Sequence, residues 1–205
     1  MTPDFSFELD LMSKGAQRIA GVDEVGRGPL AGPVYAAAVI LNPEDIPEGL
    51  NDSKKLSLTR RVALNAELQE KAEVAIGVAT VQEIDEINIL NASMLAMARA
   101  VAQLSAVDHV LVDGNRVPSQ ITVPATPLVK GDARSLSISA ASIVAKISRD
   151  LVMWDLAQQF PGYGWETNVG YPTKAHLEAL QNLGVTPHHR HSFKPVHNIL
   201  YQEKN

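Results

Sequence analysis

Short apolar runs of strand length alternate along the chain with longer segments in which apolar residues recur at helical spacing. Strands are predicted for the runs at 19–22, 34–41, 74–81, 109–112 and 121–129. Helices are predicted at about 58–68, 84–104, 136–151 and 174–183. This order of strands and helices predicts an α/β fold built on one main sheet.

Local signals refine these elements. Pro124 and Pro127 interrupt the fifth run, which predicts an edge strand because proline cannot donate to a sheet ladder. Ser57 or Thr59 is the expected N-cap of the first of these helices, and small residues at 139–145 should let a later helix pack closely. No regular element is predicted after residue 194.

Acidic residues follow three of the strand-like runs. Asp23 and Glu24 follow the first run, Asp113 follows the fourth, and Asp132 comes shortly after the fifth. Each acid alone could be an ordinary solvated turn residue. Because α/β sheets bring the carboxyl ends of their parallel strands to one edge, the repeated pattern favours one cluster of four carboxylates.

Clustered carboxylates repel one another, and a hard divalent cation with oxygen ligands is the simplest way to keep them ionised. The expected cofactor is Mg²⁺ or Mn²⁺, with two ions in one site. Two such ions suit the hydrolysis of a phosphodiester by water. That chemistry needs no cysteine, histidine or serine nucleophile.

Composition bounds the class of protein. The chain has 205 residues, of which 45% are apolar and 20% charged, so one main domain with an ordinary core is expected. There is no cysteine, which excludes disulfides and thiolate zinc sites and favours a cytoplasmic setting. Neither a secretion signal nor a membrane span is predicted. The net charge of −5 does not exclude a nucleic acid, since two cations would cancel four carboxylates.

Seven motifs occur in order along the chain. They are Asp-Glu-Val-Gly-Arg-Gly-Pro-Leu-Ala-Gly-Pro-Val at 23–34, Asp-Ser-Lys-Lys-Leu at 52–56, Val-Asp-Gly at 112–114, Lys-Gly-Asp at 130–132, Ser-Ala-Ala-Ser-Ile-Val-Ala-Lys at 139–146, Arg-Asp at 149–150 and Gly-Tyr-Pro-Thr at 170–173. Together they resemble type 2 ribonuclease H, ribonuclease HII. One departure is Val25, where the family usually has alanine.

The resemblance implies a ribonuclease H-like fold, with a mixed five-stranded sheet flanked by helices and a small C-terminal helical segment. Residues 1–160 would form the catalytic core and 161–205 a helical cap and tail of the same compact domain. The implied activity is an endonuclease that cuts the RNA strand of RNA–DNA hybrids. It would also nick duplex DNA on the 5′ side of an embedded ribonucleotide, leaving 3′-hydroxyl and 5′-phosphate ends.

The resemblance also assigns roles to residues. The metal-binding acids would be Asp23, Glu24, Asp113 and Asp132. The substrate contacts would be Gly26, Arg27, Gly28, Lys54, Lys55 and Tyr171. The glycine turn would read the ribose 2′-hydroxyl, and the tyrosine would stack on the sugar of the following nucleotide.

Structural alternatives stand beside these roles. Arg27 could simply pair with Glu24, Tyr171 could pack against the cap, and any lysine could be a solvated surface charge. Asp150 and Glu178 are expected to be helix-surface acids. His188, His189 and His191 are expected to touch substrate or solvent rather than to bind zinc. The glycine-rich stretch has neither P-loop nor dinucleotide-site spacing.

Two other functions compete with the ribonuclease hypothesis. The first is a metal-dependent DNA nuclease or recombinase of the same fold, which dependence on ribose would separate. The second is a non-catalytic nucleic-acid-binding module. A monomer is expected, and residues 201–205 show no apolar anchor pattern of a clamp-binding peptide.

Overall fold

A computed structural model describes residues 2–201. The strands are β1 (Ile19–Val25), β2 (Val34–Leu41), β3 (Ala72–Ala79), β4 (His109–Asp113) and β5 (Ala125–Leu128). The helices are α1 (Ser6–Ser13), α2 (Leu58–Lys71), α3 (Val81–Val101), α4 (Leu136–Gln159), α5 (Trp165–Asn168), α6 (Lys174–Leu183) and α7 (Lys194–Tyr201). The predicted α/β fold with a mixed five-stranded sheet is confirmed.

The strand order explains where the acids meet. The sheet runs β3-β2-β1-β4-β5, so β1 is central and the proline-containing β5 is the predicted edge. The three strands β1, β2 and β3 are joined by antiparallel pairing, whereas β4 and β5 continue the sheet parallel to β1. The carboxyl ends of β1, β4 and β5 therefore lie at the same edge.

Helices cover both faces of the sheet. The long helix α3 packs on one face through small and apolar side chains, among them Ala92, Ala96 and Ala100. On the other face α4 packs through Ala140, Ala141, Ile143 and Val144, and α2 joins it through Leu64 and Leu68. Alanine at these positions lets helix and sheet approach closely, as the small-residue run predicted.

Side-chain caps begin the main helices. Ser57 caps α2 by accepting a hydrogen bond from the backbone N–H of Arg60. Thr80 and Glu83 form a reciprocal capping box that starts α3 earlier than the predicted residue 84. Within α3, Asn88 adopts φ 66° and ψ 164°, which interrupts the helix, and its side chain caps the second half.

Two predicted features need correction. First, β1 extends to Val25, so Asp23 and Glu24 lie inside the strand and not beyond its end. Second, the prediction of no regular structure after residue 194 is wrong, because Lys194–Tyr201 forms α7 around the fully buried Val196. This helix has only two turns, so its periodic signal is short.

The C-terminal helices pack on the end of α4. A cluster of buried residues joins them to the segment after β1: Leu30, Ala31, Met153, Leu156, Tyr163, Trp165, Leu180 and Val196. The prediction about a clamp-binding peptide concerns residues 201–205, of which 202–205 lie outside the described residues. No helix among residues 2–201 is long and apolar enough to cross a membrane.

Candidate active site

Three carboxylates meet at the rim formed by β1 and β4. Asp23 and Glu24 come from β1 and Asp113 ends β4, and one oxygen of each lies within 4.8 Å of the others. Asp113 Oδ1 accepts a hydrogen bond of 2.6 Å from the backbone N–H of Gly131, which holds the following short turn against the strand. Side chains that are 90 residues apart in sequence are thus brought into one cluster.

The electrostatics of the rim are unfavourable without a cation. Burial raises the pKa of Asp23 well above its usual value, and the charges of Glu24, Asp113 and Asp132 raise it further. Burial also raises the pKa of Glu24, although the nearby Arg27 opposes this shift. Repulsion of this kind is what a bound divalent ion relieves.

Asp132 lies at the same rim, in the short 3₁₀ turn Gly131–Ala133. Its pKa is raised by burial and then by Asp113 and Asp52, while Lys54 opposes the shift. Its carboxylate is outside the tight group of three found among the described residues. The four predicted acids therefore share one rim, with three in close contact and the fourth at its margin.

The donor set fits a hard cation. All of the clustered ligand atoms are carboxylate oxygens, and no histidine or thiol belongs to the group in the described part of the chain. Mg²⁺, Mn²⁺ and Ca²⁺ prefer such ligands, whereas Zn²⁺ usually takes nitrogen or sulfur. The residues present therefore suit the expected kind of metal.

A cavity of about 180 Å³ adjoins the acidic rim. It is lined by Asp23, Glu24, Val25, Ser53, Lys54, Ser142, Lys146 and Tyr171. Burial lowers the pKa of Lys54, but the carboxylates of Asp23, Asp52 and Asp132 outweigh this effect and the net shift is upward. The cavity thus holds a firmly charged ammonium beside the acids.

Lys55 is placed differently from Lys54. Its ammonium lies 3.9 Å from the Asp52 carboxylate, and the side chain is outside the residues that line the cavity. Of the two adjacent lysines that the sequence proposed as substrate contacts, the fold brings only Lys54 to the acids.

Tyr171 lines this cavity, and Arg27 lies beside Glu24 in a neighbouring one. The Arg27 guanidinium lies 3.3 Å from Glu24, so the ion pair considered as its structural alternative is present. The Tyr171 side chain is 40% exposed, and its ring lies against Gly28. The Tyr171 carbonyl accepts a hydrogen bond of 2.9 Å from His176 Nδ1, which ties the tyrosine to the cap.

Of the two acids predicted on helix surfaces, one differs from the prediction in the structure. Asp150 was expected on a helix surface, but it is only 4% exposed and pairs with Lys146 at 2.7 Å. The i,i+4 spacing of these residues on α4 was the signal that could have found the pair. Glu178 is on the helix surface as expected, 3.8 Å from Lys174.

The prediction for the histidines is wrong for His189. It is fully buried, and its Nε2 lies 3.1 Å from Nε2 of the equally buried His176. His188 is partly buried against Phe160, and His191 is exposed. The sequence showed a polar tail, but burial of one histidine in it depends on contacts with α6.

Sequence reasoning gave no role to Arg149 beyond its motif and none to Arg190. Both side chains are fully buried beneath the turn that follows β1. Their partners are backbone carbonyl groups, which carry no side-chain signature in a sequence.

This sheet and its acidic rim define a metal-dependent nuclease with a ribonuclease H-like fold. The profile of the family described as Ribonuclease HII matches residues 20–196. The chain belongs to the ribonuclease HII family, and it is a metal-dependent ribonuclease.

Individual relatives agree with this assignment. Ribonuclease HII of Ruegeria pomeroyi is 64% identical over 98% of this chain and 86% of its own length. Ribonuclease HII of Paracoccus denitrificans is 60% identical over 98% of this chain and 97% of its own length.

Solved structures give the same fold. The crystal structure of ribonuclease H2 from Pyrococcus horikoshii matches with a TM-score of 0.75 and 26% identity, over 89% of this chain and 97% of that one. Ribonuclease HII of Archaeoglobus fulgidus, solved in a complex with PCNA, matches with a TM-score of 0.76 and 24% identity, over 87% and 96% of the two chains.

Proposed function

We propose that this endoribonuclease of RNA–DNA hybrids also nicks duplex DNA on the 5′ side of an embedded ribonucleotide, leaving 3′-hydroxyl and 5′-phosphate ends. The observation that carries the proposal is the group of three carboxylates, whose oxygens lie within 4.8 Å of one another at the rim of the sheet. Family membership directs this site to ribonuclease chemistry. The adjoining cavity offers charged groups for a phosphate backbone.

Asp23, Glu24, Asp113 and Asp132 would hold two divalent cations, Mg²⁺ or Mn²⁺. When bound, the cations would supply an activated water and stabilise charge on the leaving 3′-oxygen. Asp23 is central in this role because all three of the other acids lie close to it. A hydrogen bond also orients the Asp23 carboxylate, because Asp23 Oδ1 accepts from the backbone N–H of Glu24 at 2.7 Å.

The Gly26-Arg27-Gly28 turn would read the ribose 2′-hydroxyl, and Tyr171 would stack on the next sugar. The turn directly follows the acids of β1, and Tyr171 lies against Gly28, which supports both roles. Lys54 would contact a phosphate beside the metal site. Lys55, paired with Asp52, would contact the backbone farther away.

We propose that the protein acts as a monomer in the cytoplasm. The absence of cysteine fits a reducing compartment. The substrates in that setting would be RNA–DNA hybrids and DNA duplexes that contain ribonucleotides.

The test compares two duplexes that differ in one hydroxyl group. One is DNA with a single ribonucleotide, and the other is the same sequence in DNA alone, each incubated with Mn²⁺ or Mg²⁺. We expect one nick, 5′ to the ribonucleotide, and an intact all-DNA duplex. Equal cutting of both would favour the competing DNA nuclease.

Asp113→Asn tests the site itself. It removes one negative ligand while its amide oxygen can still accept from Gly131, so the protein should fold and lose activity by roughly 10²–10³-fold or more. The matched control is Asp155→Asn, which changes an exposed acid on α4 and should cut at the normal rate. Full activity of Asp113→Asn would remove Asp113 from the site.

A further inference from the structure

Two buried arginines lie beneath the turn that follows β1. Arg149 comes from α4 and Arg190 from the segment before α7, and each is 0% exposed. Within residues 2–201, neither guanidinium has a carboxylate within 4.0 Å. Burial lowers the pKa of Arg149 to about 10 and that of Arg190 to about 9, so both stay charged at neutral pH.

Backbone carbonyl groups take the place of the missing counter-ions. Arg190 donates to the carbonyl oxygens of Gly26 (2.6 Å), Arg27 (3.1 Å), Pro29 (2.7 Å) and Gly32 (2.8 Å). Arg149 donates to those of Pro33 (2.9 Å), Ala31 (3.0 Å) and Val169 (3.0 Å). All but the last belong to the segment 26–33, so this segment is wrapped around two cations.

These contacts set the direction of two peptide N–H groups. In a planar trans peptide the N–H points opposite to the C=O, and the chain has no cis peptide in its described part. The carbonyls of Gly26 and Arg27 point at Arg190, so the N–H groups of Arg27 and Gly28 point away from it.

Those two N–H groups differ from the N–H groups of Leu30 and Gly32 in the same turn. The N–H of Leu30 donates to the Gly170 carbonyl at 2.7 Å, and that of Gly32 donates to the His188 carbonyl at 2.8 Å. Neither Arg27 nor Gly28 has a partner for its N–H among the described residues. Two successive donors are therefore left available next to the acidic rim.

Close packing keeps the turn in this place. A Cβ atom at Gly26 would overlap the Arg149 side chain, and one at Gly28 would lie 3.2 Å from the Tyr171 ring. The turn is thus held between the guanidinium groups on its buried side and the tyrosine beside the cavity.

We propose that Arg190 is a positioning residue for ribose recognition, because it fixes the two peptide planes whose N–H groups would donate to an acceptor oxygen on the substrate sugar. This inference rests on the proposed function, since it concerns how the same turn meets a ribonucleotide. Arginine suits the task because its planar fork can bond several carbonyls at once. A lysine would keep the charge but offer only one nitrogen.

The alternative is that Arg190 only joins the C-terminal segment to the core. Arg190→Lys separates the two roles. In ¹⁵N-labelled protein without substrate, we expect the amide resonances of Arg27 and Gly28 to shift or broaden in this variant. We also expect kcat/KM on the single-ribonucleotide duplex to fall by roughly 10- to 100-fold, mostly through kcat.

Leu68→Ala is the control for general destabilisation. Leu68 is fully buried between α2 and the sheet, away from the turn. This variant should lower Tm yet leave both amide resonances and the kcat/KM of the remaining folded protein unchanged. If Arg190→Lys behaves like Leu68→Ala, with a lower Tm and normal amides and kcat, the positioning role is refuted.

The wild-type protein provides a test that does not depend on the variant's folding. With Ca²⁺ in place of the catalytic cation, the ribonucleotide duplex should shift the Arg27 and Gly28 amides more than the all-DNA duplex does. Equal shifts with both duplexes would overturn the proposal. If the wild type instead cut both duplexes equally, the proposed function would fail, while the amide spectrum of free Arg190→Lys would still judge the positioning claim.

Discussion

Asp23 is only 7% exposed and faces three other acids. A carboxyl group whose folded pKa lies above its unfolded value binds protons more readily in the folded state. The free energy of unfolding is therefore highest below the unfolded pKa of this group, and it falls as the pH rises toward the folded pKa. At neutral pH and without metal, the charge on Asp23 should weaken the fold that carries the site.

Asp23→Asn should therefore raise the stability of the metal-free protein. In EDTA at pH 7.5, its Tm should exceed that of the wild type by about 2–4 °C for each kcal/mol of repulsion removed. The comparison is thermal unfolding with and without Mn²⁺, which should raise the Tm of the wild type more than that of the variant.

Asp155→Asn, which changes an exposed acid, should leave Tm nearly unchanged in both conditions. A metal-free Asp23→Asn protein that is no more stable than the wild type would contradict the repulsion argument.

At the residue scale, the sequence predicted the acids, whose type and position indicate metal binding. It missed residues whose role depends on tertiary packing. Asp23 and Asp113 stood out because each ends or follows an apolar run. Arg190 did not, because it bonds main-chain carbonyls more than 150 positions away in the chain. The burial of Asp150 also went unpredicted, since it depends on the packing around α4.

Among the elements, β1 and α4 approach each other very closely. Gly21 in the middle of β1 lies directly against the backbone of α4 at Ser137 and Ile138. A side chain at this position would overlap main-chain atoms, which cannot move aside as the end of a flexible side chain can. The approach of α4 to the central strand therefore depends on a residue without a Cβ.

Gly21→Ala should therefore destabilise the protein by about 1–3 kcal/mol, as overpacking of a core does. The measurement is urea unfolding, in which the midpoint should fall with little change in the slope. Ser137→Ala is the control at the same contact. It removes a buried hydroxyl that has no hydrogen-bond partner among the described residues, so it should cost little.

A normal midpoint for Gly21→Ala would show that β1 and α4 can separate without cost. The small-residue run at 139–145 predicted close packing of α4, and the structure confirms it. The sequence did not indicate that the partner would be a glycine of β1.

At the scale of the whole molecule, paired histidines tie the segments of the C-terminal cap to one another. His176 Nδ1 donates to the Tyr171 carbonyl, so in the neutral ring its Nε2 accepts from Trp165 Nε1 and from His189 Nε2. His189 Nδ1 then accepts from the backbone N–H of Thr186. Every ring nitrogen is satisfied when both histidines are neutral, and an added proton would break the network.

The cap should therefore loosen in acid. Burial, followed by the charge of His176, lowers the pKa of His189 to about 3 from 6.5, and burial lowers that of His176. The unfolded chain then binds more protons than the folded one. The free energy of unfolding is therefore highest above pH 6.5 and falls as the pH decreases toward 3. For His189 the loss approaches about 1.4 kcal/mol per pH unit.

The measurement is Tm between pH 7 and pH 4.5 for the wild type and for His189→Gln. The variant starts from a lower Tm, but its decline with falling pH should be shallower. His197→Gln, which changes an exposed histidine on α7, should keep the slope of the wild type. Parallel slopes for the wild type and His189→Gln would remove His189 from the acid response.

The sequence by itself determined the order of the five strands and four of the helices, the edge position of β5 and the acids that meet at the rim. Those features are local, since periodicity records which side of an element is buried and proline records where a ladder ends. The tertiary structure decided which acids touch, that Lys54 but not Lys55 lines the cavity, and that Arg190 lies beneath the glycine turn. Such contacts join residues far apart in the chain through main-chain atoms common to all residues, so no local pattern encodes them.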